Sequence, residues 1–255
     1  MSDLALLLLA ASAVALALPL GALVAAHANL GHGPIASIMS AGAGLLLAAL
    51  VLGLFVKASD ALGAPVAMAA ILAGALLFSA VNLWLASREA QHRKRCATCR
   101  DDVGAPKANG NGSGGGLPIA VGTAVDAVPE AMILGSFAAS GHSVLQIAAV
   151  LCLGNLSQSI SATSGLRHAG WSSTHLWGLW FGVAAMVIVI AFGSFMLLGD
   201  ASEATIGLVK AVSAGLLLAM VAEVMLPEAV HDGPRLSGFT VALGFGLFAA
   251  VLAGI

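Results

Sequence analysis

Charge is what this chain has least of. Only 9% of its 255 residues are Asp, Glu, Lys or Arg, against about 25% in an ordinary soluble domain. That scarcity excludes a soluble globular enzyme and a disordered chain. A basic surplus is missing as well. The net charge is −2 and the pI about 6.4, which leaves no electrostatic footprint for DNA or RNA. Alternation of apolar and polar residues with period two is also missing, so a transmembrane barrel does not fit. What the chain does have is apolar surface: 60% hydrophobic residues and a mean hydropathy of +1.02. The solvent of most of this chain is lipid.

A helix needs about 20 apolar residues to cross the hydrocarbon core. Eight stretches qualify: residues 4–26, 35–57, 64–87, 117–138, 143–166, 174–198, 204–228 and 236–254. The 31 glycines suit membrane helices whose backbones approach closely. The expected fold is an all-α polytopic membrane protein with eight transmembrane helices. Ala15-Leu16-Ala17 resembles a signal-peptide cleavage site. However, the head of that stretch carries Asp3 and no Lys or Arg, the wrong flank for a signal peptide, so it is read as a retained span.

Orientation follows the basic residues. The polar stretch 88–116 holds Arg88, Arg93, Lys94, Arg95, Arg100 and Lys107. Placing it in the cytoplasm puts both termini outside and Arg167 and Arg235 inside, and only Lys57 and Lys210 fall toward the outer side. Its tail, Asn109-Gly-Asn-Gly-Ser-Gly-Gly-Gly116, has the composition of a flexible linker. The chain thus divides into three spans (1–87), a cytoplasmic loop (88–116), a central pair (117–166) and three more spans (174–255). The composition suggests a bacterial inner membrane. Small-residue crowding would allow a homodimer, but it is too widespread to point to a dimer face.

Ala43-Gly-Leu-Leu-Leu-Ala48 recurs as Ala214-Gly-Leu-Leu-Leu-Ala219. The first copy lies in span 2 and the second in span 7, which run in opposite directions in this topology. Inverted repeats around a midplane site are a transporter plan, here arranged as 3+2+3. In a chain this rich in Ala and Leu the match could also arise by chance.

Asp126 and Glu130 fall near the middle of span 4, four residues apart and therefore on one face. A carboxylate there costs roughly 2.5–3.5 kcal/mol on insertion scales, so intramembrane acids are functional by default. Two oxygen ligands at this spacing can grip one divalent cation. Pro129 between them cannot bond the carbonyl of Val125, which offers a third oxygen. Span 5 carries Asn155 and Gln158 among several serines. These residues supply either further ligands or ordinary interhelical hydrogen bonds.

Span 7 closes as Glu223-Val-Met-Leu-Pro-Glu228-Ala-Val-His231-Asp232. Pro227 is expected to kink or end that helix. Glu223 is a candidate lining of an inner vestibule, while Glu228 and His231 lie near the cytoplasmic interface. Six of the seven histidines, His27, His32, His92, His168, His175 and His231, fall on that side. Neutral imidazole is a common metal ligand, so this ring of histidines could receive departing ions. The loop adds His92, Cys96 and Cys99, which are either three of the four ligands of a zinc site or an incidental or redox thiol pair beside a histidine. In the cytoplasm these thiols would stay reduced.

Asp126-Ala-Val-Pro-Glu130-Ala resembles the fourth-helix signature of the ZIP metal transporters, His-Asn-x-Pro-Glu-Gly. Gly154-Asn-Leu-Ser-Gln158-Ser is similar to the fifth-helix counterpart, and Met225-Leu-Pro-Glu-Ala229 to the Leu-Pro-Glu-Ala of the seventh. The resemblance implies eight helices in a 3+2+3 plan and a divalent metal ion as cargo, moved toward the cytoplasm and held by Asp126, Glu130, Asn155 and Gln158. By family the ion is zinc, with manganese, iron or cadmium as alternatives. Asp126 replaces the family's His, Ala127 replaces its Asn, and Asn155 and Gln158 replace carboxylates. This oxygen-rich, imidazole-poor set leans toward harder ions such as manganese or magnesium, although zinc accepts carboxylates too. The alternative is a ZIP-derived protein that binds or senses metal without moving it. An intramembrane enzyme is the weakest reading, because no nucleophile arrangement accompanies the two acids.

Overall fold

The computed structural model describes residues 3–28, 31–87, 117–141, 144–231 and 236–254. Among the described residues every regular element is a helix. The helices are α1 (Asp3–His27), α2 (His32–Ala48), α3 (Val56–Leu62), α4 (Ala64–Ser87), α5 (Leu117–Ala139), α6 (Val144–His168), α7 (Ser173–Leu198), α8 (Glu203–Met220), α9 (Leu226–His231) and α10 (Ser237–Gly254). Two π-helical segments, Ala49–Phe55 and Val221–Met225, join α2 to α3 and α8 to α9. Each of these triplets is one continuous rod.

Among the described residues, seven rods are long and apolar enough to cross a membrane. The eighth apolar helix, α10, has 18 residues. This is the construction of an all-α multi-pass membrane protein. The helices follow the apolar stretches of the sequence to within a few residues, except that the second stretch continues to Leu62.

Short turns fold the rods back on each other. Gly63, Gly141 and Gly170 take positive φ just past the ends of α3, α5 and α6, a conformation that costs glycine little. Ser172 and Ser202 cap α7 and α8 by accepting from the backbone N–H of His175 and Thr205, which satisfies donors left over at a helix start.

The rods sort into two groups by what they touch. In the first, α1 packs on α6 and α7, and α5 packs on α6 and α7. The second joins α4 to α8, α10 to α2, and the two π-containing rods to each other. The groups meet along α2 against α6 and along α5 against α8. Burial follows this layout: 72% of the apolar window of α5 and 67% of that of α6 lie inside the protein, against 28% for α4 and α7. The two helices carrying the polar pairs are among the inner ones, with the α2 rod at 67% and the α8 rod at 61%.

The second group is held by a reciprocal pattern of glycines. A Cβ on Gly44 of α2 would overlap the carbonyl of Val241 in α10, and one on Gly244 of α10 would overlap the carbonyl of Ala41 in α2. In the same way Gly215 of α8 meets the carbonyl of Ile71 in α4, and Gly74 of α4 meets that of Val212 in α8. In all four helices the carbonyl lies three residues before the glycine. Gly44 and Gly215 are the same residue of the two Ala-Gly-Leu-Leu-Leu-Ala copies, and a π-helical segment follows each copy within two residues. Small residues let backbones come this close, where dispersion and Cα–H···O contacts hold apolar helices together.

The departure from α geometry expected at Pro227 takes the form of the second π segment. The N–H of Leu226 reaches the carbonyl of Val221, five residues back. A proline ring clashes with the carbonyl four residues earlier, here that of Glu223, and a π turn moves that carbonyl aside. The first π segment contains no proline, so proline alone does not explain the pair. Pro129 leaves α5 helical from Leu117 to Ala139.

Candidate metal centre in the bundle core

Asp126 and Glu130 lie one turn apart on α5, with 1% and 0% of their surface exposed. At 1.5 Å rise per residue Glu130 is about 20 Å from the start of α5 and about 13 Å from its end. Both carboxylates therefore sit in the middle turns of α5. Gln158 on α6 is also buried, and its Nε2 donates to Glu130 Oε1 at 2.9 Å. A hydrogen bond to a charged group contributes about 1.5–3 kcal/mol, enough to offset much of the cost of holding a carboxylate here.

Tight backbone contacts set the helices that carry these groups. Gly21 lets α1 come down on the carbonyl of Leu156 in α6, and Gly135 lets α5 seat against the carbonyl of Ala191 in α7. A side chain at either glycine would push the polar helices away from their neighbours.

The remaining sequence candidates go to different places. Asn155 is buried, and its Nδ2 donates to the carbonyl of Val14 in α1 at 3.3 Å. It ties α6 to α1, while Gln158 ties α6 to α5. Glu223 is separate from the carboxylate pair. It lies on the second π segment and accepts from Ser79 Oγ and, at 2.7 Å, from Asn82 Nδ2, both on α4. Glu228 accepts from Ser161 Oγ, a bond that crosses between the two helix groups. His231 is the last residue of α9. His92, Cys96 and Cys99 lie outside the described residues.

Among the described residues, no three His, Cys, Asp or Glu side chains converge at metal-binding distances. The core set is thus two carboxylates with an amide beside them. All its potential ligands are oxygens, the donor type that suits hard divalent cations.

Two features stand out that the sequence had not marked as part of a site. Lys210, taken from sequence only as an outer-side basic residue, is 2% exposed. Its ammonium donates to Ser140 Oγ at 2.8 Å and lies 4.8 Å from the centre of the Phe137 ring. Lys57 approaches the same ring at 6.0 Å. Two cations therefore flank an aromatic two turns beyond Glu130 on α5, a cation–π arrangement. The signal available in the sequence was a lysine placed seven residues into an apolar helix. The other feature is the pair of donors to Glu223, Ser79 and Asn82. Their place on an apolar span marked them as polar but did not say which helix they face.

No protein-family model matches the chain, and no curated protein matches it.

Proposed function

We propose that the chain is a ZIP-like carrier of a divalent metal ion, with the ion held at Asp126 and Glu130 and moved toward the cytoplasm. One observation carries this reading: two carboxylates one turn apart, fully buried in the middle turns of α5, with an amide from the adjacent helix bonded to one of them. Paired intramembrane acids mark ion pathways, and such sites lie where repeats meet.

The helix contacts support the inverted 3+2+3 plan. Exchange the first three spans for the last three, and α5 for α6. Then α1 on α6 becomes α7 on α5, α4 on α8 becomes α10 on α2, and α2 on α6 becomes α8 on α5; each of these contacts is present. The reciprocal glycines and the matched π segments obey the same exchange. The two groups meet beside the carboxylate helices, which supports alternating access by movement of one group against the other. In this reading the chain sits in an inner membrane with both termini outside and residues 88–116 in the cytoplasm. Metal release is aided by protonation, because ligands must be deprotonated to bind. The reading assigns the chain no enzymatic activity.

A second reading, a ZIP-derived protein that binds or senses metal without moving it, is favoured by the amide facing Glu130 where a second acid would bind a 2+ ion more tightly. Flux into proteoliposomes separates the two, measured with zinc, cadmium, manganese, iron(II) and magnesium. The first reading expects flux of at least one ion that disappears in Glu130→Ala while the protein stays inserted and folded. Unchanged flux in that variant would end the central-site assignment. Absence of flux for every ion would favour the second reading.

A further inference from the structure

Far from the carboxylates, two imidazoles face each other across the boundary between the helix groups. His32 is the first residue of α2, and His168 is the last of α6. Their ring centres are 6.3 Å apart and their planes inclined by 36°. Along α6, His168 is ten residues from Gln158, about 15 Å.

The hydrogen bonding of the two rings differs. His168 Nδ1 lies 2.7 Å from the carbonyl of Ser164. A carbonyl only accepts, so Nδ1 is the donor in this bond and Nε2 is the nitrogen it leaves for a ligand. A metal-binding histidine is prepared in this way, its second nitrogen fixed by a backbone carbonyl. His32 Nδ1 is buried and has no hydrogen-bond partner among the described residues. A buried polar nitrogen without a partner is destabilising, and a ligand that fills it removes that cost.

The spacing suits a shared ion. With metal–nitrogen bonds of about 2.0–2.1 Å and about 1.2 Å from nitrogen to ring centre, a tetrahedral ion holds two ring centres roughly 5.2 Å apart and a linear pair about 6.4 Å. The observed 6.3 Å lies between the two, so a tetrahedral ion needs the rings to close by about 1.1 Å through side-chain adjustment. Electrostatics at this end is mixed. The carboxyl ends of α1 and α6 favour a cation, and the amino end of α2 does not. Arg167 is the nearest fixed positive charge in sequence, but its Nη1 is committed to the carbonyls of Ala25 and Ala26 at 2.9 and 3.0 Å.

We propose that His32 and His168 form a two-imidazole site for a divalent transition-metal ion of the zinc or copper class, completed by water. The ion bridges α2, in the second helix group, to α6, in the first, and its occupancy ties the two groups together at this end. The site is independent of the carboxylate centre and does not rest on the transport reading.

The test uses the full chain, free of any tag, in detergent and carrying Glu130→Gln, Cys96→Ser and Cys99→Ser. That background removes the central carboxylate and the loop thiols from the result. Calorimetric titration with zinc alone should find one ion per chain. Affinity should fall at least tenfold in His32→Ala and in His168→Ala, since even outer-shell partners of a metal cost ten- to a hundredfold. His142→Ala, the one histidine outside the cytoplasmic-side set, should leave it unchanged. Copper(II) spin resonance on the unsubstituted histidine background should report two nitrogen ligands, which keeps the test decisive if an alanine variant fails to fold. Zinc affinity in the His32 and His168 variants equal to that of the parent background would overturn the proposal, as would a copper spectrum without paired nitrogen coupling. Failure here leaves flux through Glu130 untouched, and loss of flux leaves this site untouched.

Discussion

Gly215→Ala tests the packing on which the whole arrangement depends. A Cβ on Gly215 would overlap the carbonyl oxygen of Ile71 and stand 2.8 Å from the Ala75 nitrogen and the Ile71 carbonyl carbon. All three atoms belong to the backbone of α4, which has no rotamer to change. Relief requires lifting α4 off α8, and overpacking of this kind costs about 1–3 kcal/mol. The same substitution also brings a gain, because alanine is better than glycine inside a helix by roughly 0.5–1 kcal/mol. Gly193 and Gly246 lie in helices with open space where a Cβ would go, so alanine there shows the gain alone. The gain cancels in the comparison, leaving Gly215→Ala less stable than Gly193→Ala by about 1–3 kcal/mol, or about 5- to 150-fold in the folded-to-unfolded ratio. Reversible unfolding in mixed micelles, followed by tryptophan fluorescence, reads this difference. Gly44→Ala should fall beside Gly215→Ala, because it meets the backbone of α10 with the same three-residue register. Gly215→Ala as stable as Gly193→Ala would refute the close-contact argument. A large difference between Gly44→Ala and Gly215→Ala would refute the equivalence of the two seams.

Two further predictions concern polar groups held between helices. Gln158→Glu places a second acid against Glu130, so the metal-free protein should be less stable than wild type, while millimolar manganese or zinc should restore it and bind more tightly. A Gln158→Glu protein whose melting ignores metal would argue against a central cation site. Ser79→Ala combined with Asn82→Leu removes both donors to Glu223, and should destabilise the α4–α8 pair by about 1–3 kcal/mol, less than two charged hydrogen bonds at full strength because Glu223 is exposed. The added substitution Glu223→Gln should recover part of that loss, and no recovery would mean that the carboxylate is held by something else.

Much of this was legible in the sequence. The apolar stretches located the helices because span length is a local property, set by bilayer thickness and rise per residue. Asp126 and Glu130 stood out because a helix places residues four apart on one face, and because an acid in lipid is costly enough to be noticed. The repeated Ala-Gly-Leu-Leu-Leu-Ala was visible as well, though not what its glycine does.

Partner choice was not legible. In a soluble helix the apolar stripe says which side turns inward. Here nearly every face is apolar, so hydropathy cannot tell lipid from protein. Backbone contact at Gly44, Gly74, Gly215 and Gly244 decides which helices pair, and the sequence has many other glycines in similar company. That pairing sends Glu223 to Ser79 and Asn82, Asn155 to Val14, and Gln158 to Glu130. It also buries Lys210 beside Phe137 and brings His32 opposite His168. The sequence by itself determined the spans, their number of acids and the turn-apart pair in α5, because length, charge and helical period act within one segment. The tertiary structure alone decided which polar groups share a site, because that depends on close contacts between segments far apart in the chain.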